Sequence, residues 1–375
     1  MIRIFEKGDR EDAMDFGIGM LNPYSCIVHE EKNGDYSLAL EIDRTDTLCE
    51  NERILLVPTP KNGVQKFRIY DIETTLSGIK TVRARHIFYD LIDNFIDVAH
   101  PTNFTGKQAI ERLFKGLQYA SPITGSSDIE TKNTAYWDMI TPVDALIGEQ
   151  DNSFVNRWGG VLNRDNREFT INDESLTPIN IIYGKNLEQF GLHADMTEIV
   201  TRIMPTGLKA DGQSVLKLPE RYVDSPKIDD YVNPKIQRIH YSDIRVGENE
   251  GDYATEDAAC DALRARAAAE FTAGIDLPKV SGTVSIVDLT STKEYANAKG
   301  LEKIIPFSPV RVWFQGDYIE AEMQAYDYNA LSERYESITI GVKDRYIGET
   351  METQLHQLAR KVDLLSDTVS SMKGV

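Results

Sequence analysis

The chain has 375 residues, 41% hydrophobic and 27% charged, the balance of an ordinary globular protein with room for two to four domains. Its net charge of −19 argues against a nucleic-acid-binding surface, which needs a basic footprint, and against docking on an anionic membrane. Cys26, Cys49 and Cys260 are odd in number and far apart; they imply neither a disulfide framework nor a zinc site, and they fit folding in a reducing cytosol.

The start, Met1-Ile2-Arg3-Ile4-Phe5-Glu6, carries no apolar signal region, and no apolar run approaches the roughly 18 residues that span a bilayer, so no membrane insertion is expected. The first hundred residues read as antiparallel β. Cys26-Ile27-Val28-His29 leads into Asn33-Gly34, a pair that accepts the two positive φ angles of a type I′ turn. The return strand alternates, with Tyr36, Leu38, Leu40 and Ile42 on one face and Ser37, Ala39, Glu41 and Asp43 on the other. Ile54 to Val57 is a further strand. Asn62-Gly63 turns the chain back through Phe67, Ile69, Asp71 and Glu73, and Ser77-Gly78 turns it into a strand from Thr81 to Tyr89. Sequential strands with tight turns favour a barrel or sandwich.

Near His100-Pro101 the composition changes. Thr105 can cap a helix carrying Ala109, Ile110, Leu113, Phe114 and Leu117. Ser121 to Asn133 reads as a loop. Thr141-Pro142-Val143-Asp144 is a helix start, with Thr as N-cap, Pro at N1 and an acid at N3. Asp151 to Ile171 reads as a short meander, which makes this stretch an inserted α+β module. From Tyr183 the chain returns to β character, through Ile199, Thr201 and Ile203. Ser214 to Pro234 is polar and proline-dotted, the pattern of a surface excursion. Thr255 caps an alanine-rich helix that runs to Ala273 and ends at Gly274. Strands follow at Val280 to Leu289, Val310 to Phe314, Tyr318 to Ala325 and Tyr335 to Val342, with a turn at Gly316-Asp317.

The last stretch is a heptad seam. Met351, Leu355, Leu358, Val362, Leu365, Val369 and Met372 are spaced alternately by four and three, with Leu355, Val362 and Val369 at a and the others at d. So narrow a stripe is best buried against copies of itself; the plainer reading is an amphipathic helix docked on its own domain. Valine at a with leucine at d leans toward two strands. Three heptads are marginal alone.

No catalytic, cofactor or metal motif is present: there is no His-Glu-x-x-His, no Gly-x-Ser-x-Gly and no Walker-type loop. His86 and Asp90 are four apart on an apparent strand and share a face, which more often means a structural histidine than a base. Ser126-Ser127-Asp128 sits in a polar loop with no histidine tied to it. Asn163, Asp165 and Asn166 could offer oxygens to a cation, but they lack the terminal acid of a calcium loop and read better as a turn. Trp158 and Trp313 could form a ligand surface or simply sit in twisted strands.

Taken together in their order, several stretches resemble the phage and prophage tail hub proteins of Gram-positive bacteria, the prophage tail endopeptidase family at the N-terminal part of tail-associated lysins. These are Asn33-Gly34-Asp35-Tyr36-Ser37-Leu38, Phe67-Arg68-Ile69-Tyr70, His86-Ile87-Phe88-Tyr89-Asp90-Leu91, Asp151-Asn152-Ser153-Phe154 and Arg157-Trp158-Gly159-Gly160. Tyr183-Gly184-Lys185-Asn186-Leu187, Thr201-Arg202-Ile203-Met204-Pro205-Thr206-Gly207 and Tyr222-Val223-Asp224-Ser225-Pro226 continue the series.

The resemblance implies a mainly β, α+β fold: two small antiparallel β-barrel domains (1–98 and 186–348), an inserted α+β module (99–185) and a C-terminal coiled-coil helix (349–375). It implies a homotrimeric ring, similar to the baseplate hub of contractile-tailed phages, that caps the tail tube, and it makes the seam three-stranded. The implied partners are tail-tube, distal-tail, tape-measure and receptor-binding baseplate proteins. DNA would pass through without specific binding, past an acidic wall to which a polyanion does not stick. The place is the virion tail tip, after synthesis in the host cytoplasm. Longer relatives carry a cell-wall hydrolase after the helix; with the sequence stopping at Val375, that domain is expected to be absent. The alternative is a cell-wall endopeptidase, for which His86, Asp90 and the Ser126 loop are the candidates. A carbohydrate-binding module built on Trp158 and Trp313 is a third reading, testable by saccharide quenching of tryptophan fluorescence.

Overall fold

Alternating side chains set the first sheet. The computed structural model describes residues 2–8, 17–76, 78–173, 176–182, 187–211, 214–247, 251–277, 279–286, 304–314 and 317–342. Strands β1 (Ile2–Phe5), β2 (Gly19–Leu21), β3 (Ser25–Glu31), β4 (Tyr36–Asp43), β5 (Ile54–Pro58), β6 (Val64–Thr74) and β7 (Ile79–His86) run antiparallel in the order β3-β4-β7-β6-β5-β1-β2. On β4, Tyr36, Leu38, Leu40 and Ile42 are buried and the residues between them are not, as the alternation requires. Asn62 and Gly63 both take positive φ, 60° and 70°. At the other expected type I′ turn only Asn33 does, at 55°, and the reversal is a longer loop closed by Glu31 N to Asp35 O at 2.8 Å.

β7 stops at His86, three residues short of the expected Tyr89, because the His86 ring caps a 3-10 helix over Ile87–Asp93. The module that follows comprises β8 (Ile96–Ala99), α1 (Gly106–Lys115), β9 (Thr124–Ser126), β10 (Trp137–Ile140), α2 (Pro142–Ile147), α3 (Phe154–Trp158), β11 (Val161–Asp165) and β12 (Glu168–Asn172). Thr105 and Gln108 form a reciprocal capping box on α1, and Thr141 caps α2 with Pro142 in its first turn. The expected meander is a helix followed by a hairpin, since Ser153 caps α3 and Gly159 ends it at φ 77°. Ile110, Leu113, Trp137, Leu146, Phe154, Trp158 and Phe169 belong to the core of this module.

The next strands are β13 (Ile179–Ile182), β14 (Leu187–Asp195), β15 (Arg202–Leu208), β16 (Val215–Lys217), β17 (Val223–Asp224) and β18 (Ile236–Arg245), then α4 (Glu256–Thr272) and β19 (Lys279–Ile286). β15 to β18 form a four-stranded sheet under α4. The expected surface excursion from Ser214 is therefore partly core, with Leu216 and Leu218 buried. β14 pairs with β19, and Asp195 stands opposite Lys279, so residues 196–277 hang as a unit from the tip of this strand pair.

β20 (Pro309–Phe314), β21 (Asp317–Asn329) and β22 (Arg334–Val342) complete the chain as described. β21 runs four residues beyond the expected Ala325, and those residues join the two β-rich parts. One edge of β21 pairs first with β20 and then, over Ala325–Asn329, with β3; the other edge pairs with β22. The result is one thirteen-stranded sheet, and its path does not return on itself among the described residues. No closed barrel is found among the described residues where two small barrels were expected; this junction merges the halves around a shared core including Val28, Tyr36, Ile181, Val312, Tyr326 and Ile340. Among the described residues three pairings, β9–β12, β13–β20 and β15–β18, are parallel. The mainly β, α+β class stands. The seam from Met351 to Met372 lies outside the described residues. Among the described residues, no helix is long and apolar enough to cross a membrane.

Candidate functional site

The densest polar constellation is built where the β11–β12 hairpin meets the first sheet. Arg164, buried on β11, donates from Nη2 to Glu30 Oε1 at 3.1 Å and to Glu31 O at 3.3 Å. Its Nη1 donates to Gly34 O at 2.8 Å and to the Tyr89 hydroxyl at 3.1 Å. The guanidinium lies 4.9 Å over the Tyr36 ring, a cation–π contact away from water. The second Glu30 oxygen accepts from the Tyr326 hydroxyl of β21. Burial holds the Tyr326 hydroxyl well above its ordinary pKa, so it stays a donor. One cation, one carboxylate and one phenol thus tie the module, the first strands and the last strands together.

Both Asn-Gly stretches serve this junction as well as turning the chain. Asn33 donates from Nδ2 to Gly160 O at 2.9 Å and accepts from Leu162 N at 2.7 Å. Asn62 Nδ2 donates to Arg164 O at 2.8 Å and Asn163 Oδ1 at 3.0 Å. Gln65 donates to Asp165 Oδ1 at 3.0 Å, while Asn166 Oδ1 accepts from Lys66 N at 3.0 Å. The oxygens of Asn163, Asp165 and Asn166 are therefore used in docking the hairpin turn, whose Asn166 takes φ 53°.

His86 is fully buried and stacked on Tyr36 at 4.6 Å between ring centroids. Its Nδ1 accepts from Phe88 N at 3.2 Å, which places the proton on Nε2, facing Gln65 Oε1 at 3.0 Å. Burial, with the Arg164 charge beside it, drives its pKa well below 6.5 and keeps the ring neutral. Asp90 is not its partner: both Asp90 oxygens are gripped by Arg68, at 2.8 and 2.7 Å. The pair weighed as a catalytic dyad is two separate structural contacts. Ser126 ends β9, Ser127 Oγ accepts from Ile129 N at 3.2 Å, and Asp128 Oδ1 accepts from Asp173 N at 3.3 Å. These contacts shape a turn. Trp158 is buried, stacks on Phe154 at 5.0 Å and donates to Phe104 O at 2.9 Å, so it offers no platform to a sugar. Trp313 donates to Asn180 Oδ1 at 2.8 Å. Among the described residues no group of three or more His, Cys, Asp or Glu side chains is placed to hold a metal.

A second charged junction holds the unit 196–277 against the module. Arg157 reaches Asp151 Oδ2 at 2.9 Å and Asp243 Oδ2 at 2.8 Å, and Arg266 of α4 reaches Asp151 Oδ1 at 3.0 Å. Arg245 lies 4.1 Å over the Tyr136 ring. Neither Arg164 nor these charges stood out in the sequence, where an arginine in a strand or short helix looks solvated. The only signal was Arg164 as the single charged residue between apolar Val161-Leu162 and the hairpin turn.

Residues 177–351 match the family described as prophage endopeptidase tail. The fold is similar to that of the prophage tail protein gp18 from Listeria monocytogenes EGD-e, with 16% identity, a TM-score of 0.52, and coverage of 96% of this chain and 99% of that one. It is also similar to the tail protein from Neisseria meningitidis MC58, with 12% identity, a TM-score of 0.54, and coverage of 92% and 96%. No curated protein matches the chain. The resemblance read from the sequence is thus shown, with the family match resting on the C-terminal part.

Proposed function

We propose that this chain is a structural hub of a phage or prophage tail tip. Three copies form a ring that caps the tail tube and links it to host-wall-facing proteins during DNA delivery. The carrying observation is the likeness of fold to two tail proteins over nearly the full length of each chain, together with the family match over residues 177–351. Its partners in this reading are tail-tube, distal-tail, tape-measure and receptor-binding baseplate proteins, and its place is the virion tail tip. The seam Met351, Leu355, Leu358, Val362, Leu365, Val369 and Met372 lies on the threefold axis, and DNA passes the acidic wall without specific contacts.

The interior supports a structural role: junctions of buried polar groups bonded to one another suit a part that must keep its shape. The endopeptidase of the family's description is the less supported reading, since His86, Asp90 and, in the Ser126 loop, Ser127 are engaged in structural hydrogen bonds. Light scattering over a concentration series, on the full chain and on a version ending at Gly348, tests the ring. A trimer that dissociates on truncation is the expected result. A dimer at every concentration would overturn it.

A further inference from the structure

α4 covers one face of the four-stranded sheet, packing Ala259, Leu263 and Ala267 against Ile203, Leu216, Val223 and Tyr241. Strand alternation puts their neighbours on the other face. There Met204 lies beside Arg238 in register, and Thr206 lies between Lys217 and His240. Arg238, Lys217 and His240 are exposed, and Ile236, at the end of the row, is 56% exposed. Arg202 on this face is neutralised by Asp224, at 2.6 and 2.7 Å. Among the described residues Arg238 is held through Nε, which donates to Thr206 Oγ1 at 3.3 Å. Among the described residues no carboxylate pairs with Arg238 or Lys217. Open cations beside open apolar side chains, in a chain of net charge −19, mark a surface that awaits an acidic partner.

The complementary composition stands on the ribbon of β8 and β10. Val98 pairs with Asp138, and Asp97 and Met139 are the next residues along the two strands, between that pair and the pair of Ile96 with Ile140. Asp97, Val98, Asp138 and Met139 are all exposed, Met139 at 76% and Val98 at 51%; Asp138 is paired with His100 Nε2 at 2.5 Å, so Asp97 is the open acid of the ribbon. Asp97 has no cation beside it among the described residues. Met139 holds φ 52°, a left-handed conformation that costs an unbranched L-residue on the order of 1 kcal/mol. The ribbon has only two strands, which leaves the outer edge of β10 unpaired among the described residues.

We propose that these two surfaces meet between neighbouring copies of this chain, the Arg238 face of one against the Asp97–Met139 ribbon of the next. A second copy is the occupant because each copy carries both halves of the match, acid with apolar on one surface and base with apolar on the other. A contact between two different patches is also heterologous, and it builds a ring when its rotation closes. The inference rests on the ring reading above. A stable interface buries on the order of 1,200–2,000 Å². Patches this small therefore orient neighbours whose other contacts lie elsewhere.

Crosslinking in the full-length protein tests the contact. The three native cysteines are buried, so Asp97→Cys and Arg238→Cys introduce the accessible thiols for a short bismaleimide. The double variant is expected to give covalent oligomers, and a mixture of the two single variants a covalent dimer; neither single variant alone should link. Charge reversal gives a second readout. Arg238→Glu and Asp97→Arg should each raise the concentration at which the oligomer dissociates about tenfold, and combining them should restore it. If the parent protein is oligomeric by light scattering yet the double variant and the mixture do not link, the contact is wrong and the ring stands. A parent that is monomeric throughout removes the ring and the contact together. Saturable binding of a labelled DNA duplex, lost in Arg238→Glu and unaccompanied by crosslinks, would overturn the contact and assign the face to a polyanion.

Discussion

Arg164 of the β11–β12 hairpin and Glu30 of β3 meet at 3.1 Å, 134 positions apart in sequence and both shielded from water. Neither could be buried alone, because an uncompensated interior charge is strongly unfavourable. Folding the first sheet and docking the module are thereby coupled. The Tyr326 hydroxyl on the same carboxylate brings β21 into the same event.

Arg164→Met should therefore destabilise the protein by about 3–5 kcal/mol, the usual result of stranding one partner of a buried pair. Arg164→Lys should recover only part of this, since a single ammonium cannot serve Glu30, Glu31, Gly34 and Tyr89 from one fork. Combining Arg164→Met with Glu30→Gln should cost less than Arg164→Met alone. Denaturant unfolding monitored by tryptophan fluorescence reads all three.

His29 gives the β3–β21 seam a pH dependence. Its Nδ1 lies 2.8 Å from Asp327 Oδ1, directly across the strand pair, and the hydrogen bond it donates to Asp327 raises the imidazole from 6.5 to about 9. A raised folded-state value means that the stabilisation is complete below pH 6.5 and is lost as pH climbs through 9. Asp327, depressed chiefly by the same hydrogen bond, contributes stability above its ordinary 3.8 that is lost in acid. The pair is partly exposed, so the effect is modest and screened by salt. The urea midpoint should fall between pH 6.5 and 9 in the parent protein, and His29→Gln should flatten this slope. An unchanged slope in the variant would locate the titration elsewhere.

Local rules were readable from the sequence, and long-range pairing was not. Tyr36 to Ile42 announced its buried face by alternation, and Thr105, Thr141 and Thr255 announced their helices by capping chemistry. Asn33 and Asn62 were readable as turns, but not as the residues that grip Gly160, Leu162 and Arg164 more than a hundred positions away. β21 looked like an ordinary strand ending at Ala325. Its extension through Tyr326 and Tyr328 depends on an edge offered by β3, which no local pattern encodes. His86 and Asp90 looked like one pair because strand periodicity was carried past the true end of β7. The 3-10 helix sends Asp90 to Arg68 instead.

Gly125 shows how tightly the module is packed under its hairpin. It pairs with Phe169 in the parallel β9–β12 contact, and a Cβ placed there would lie 2.1 Å from the Phe169 ring. That ring packs edge-on to Phe88 at 5.3 Å and beside Phe114 at 6.1 Å, so it has nowhere to retreat. Gly125→Ala should cost about 1–3 kcal/mol by overpacking. Adding Phe169→Leu should recover part of the loss, which a thermal melt of the two variants would reveal.

The Arg157 junction makes a different prediction, because it joins parts whose covalent connection is two strands and whose other described side contact is Arg245 on the Tyr136 ring. Residues 196–277 leave the main sheet at Asp195 and return at Lys279, and their side contact with the module runs through Arg157, Asp151, Asp243 and Arg266. Asp151 serves both arginines, so Asp151→Ala leaves the Arg157 guanidinium, which is 1% exposed, with Asp243 as its one remaining acid and takes the ion-pair partner from Arg266. The cost should be about 3 kcal/mol, the lower end for a broken buried pair, since the acids are partly solvated. The loss should be local. Hydrogen exchange should quicken in α3, at the end of β18 and along α4, while the β11–β12 hairpin, fixed by Arg164, keeps its protection. Uniform loss of protection would mean that the unit and the module fold as one cooperative body. A local loss would show that the Arg164 junction sets the frame and the Arg157 junction sets how firmly the hanging unit is held to it.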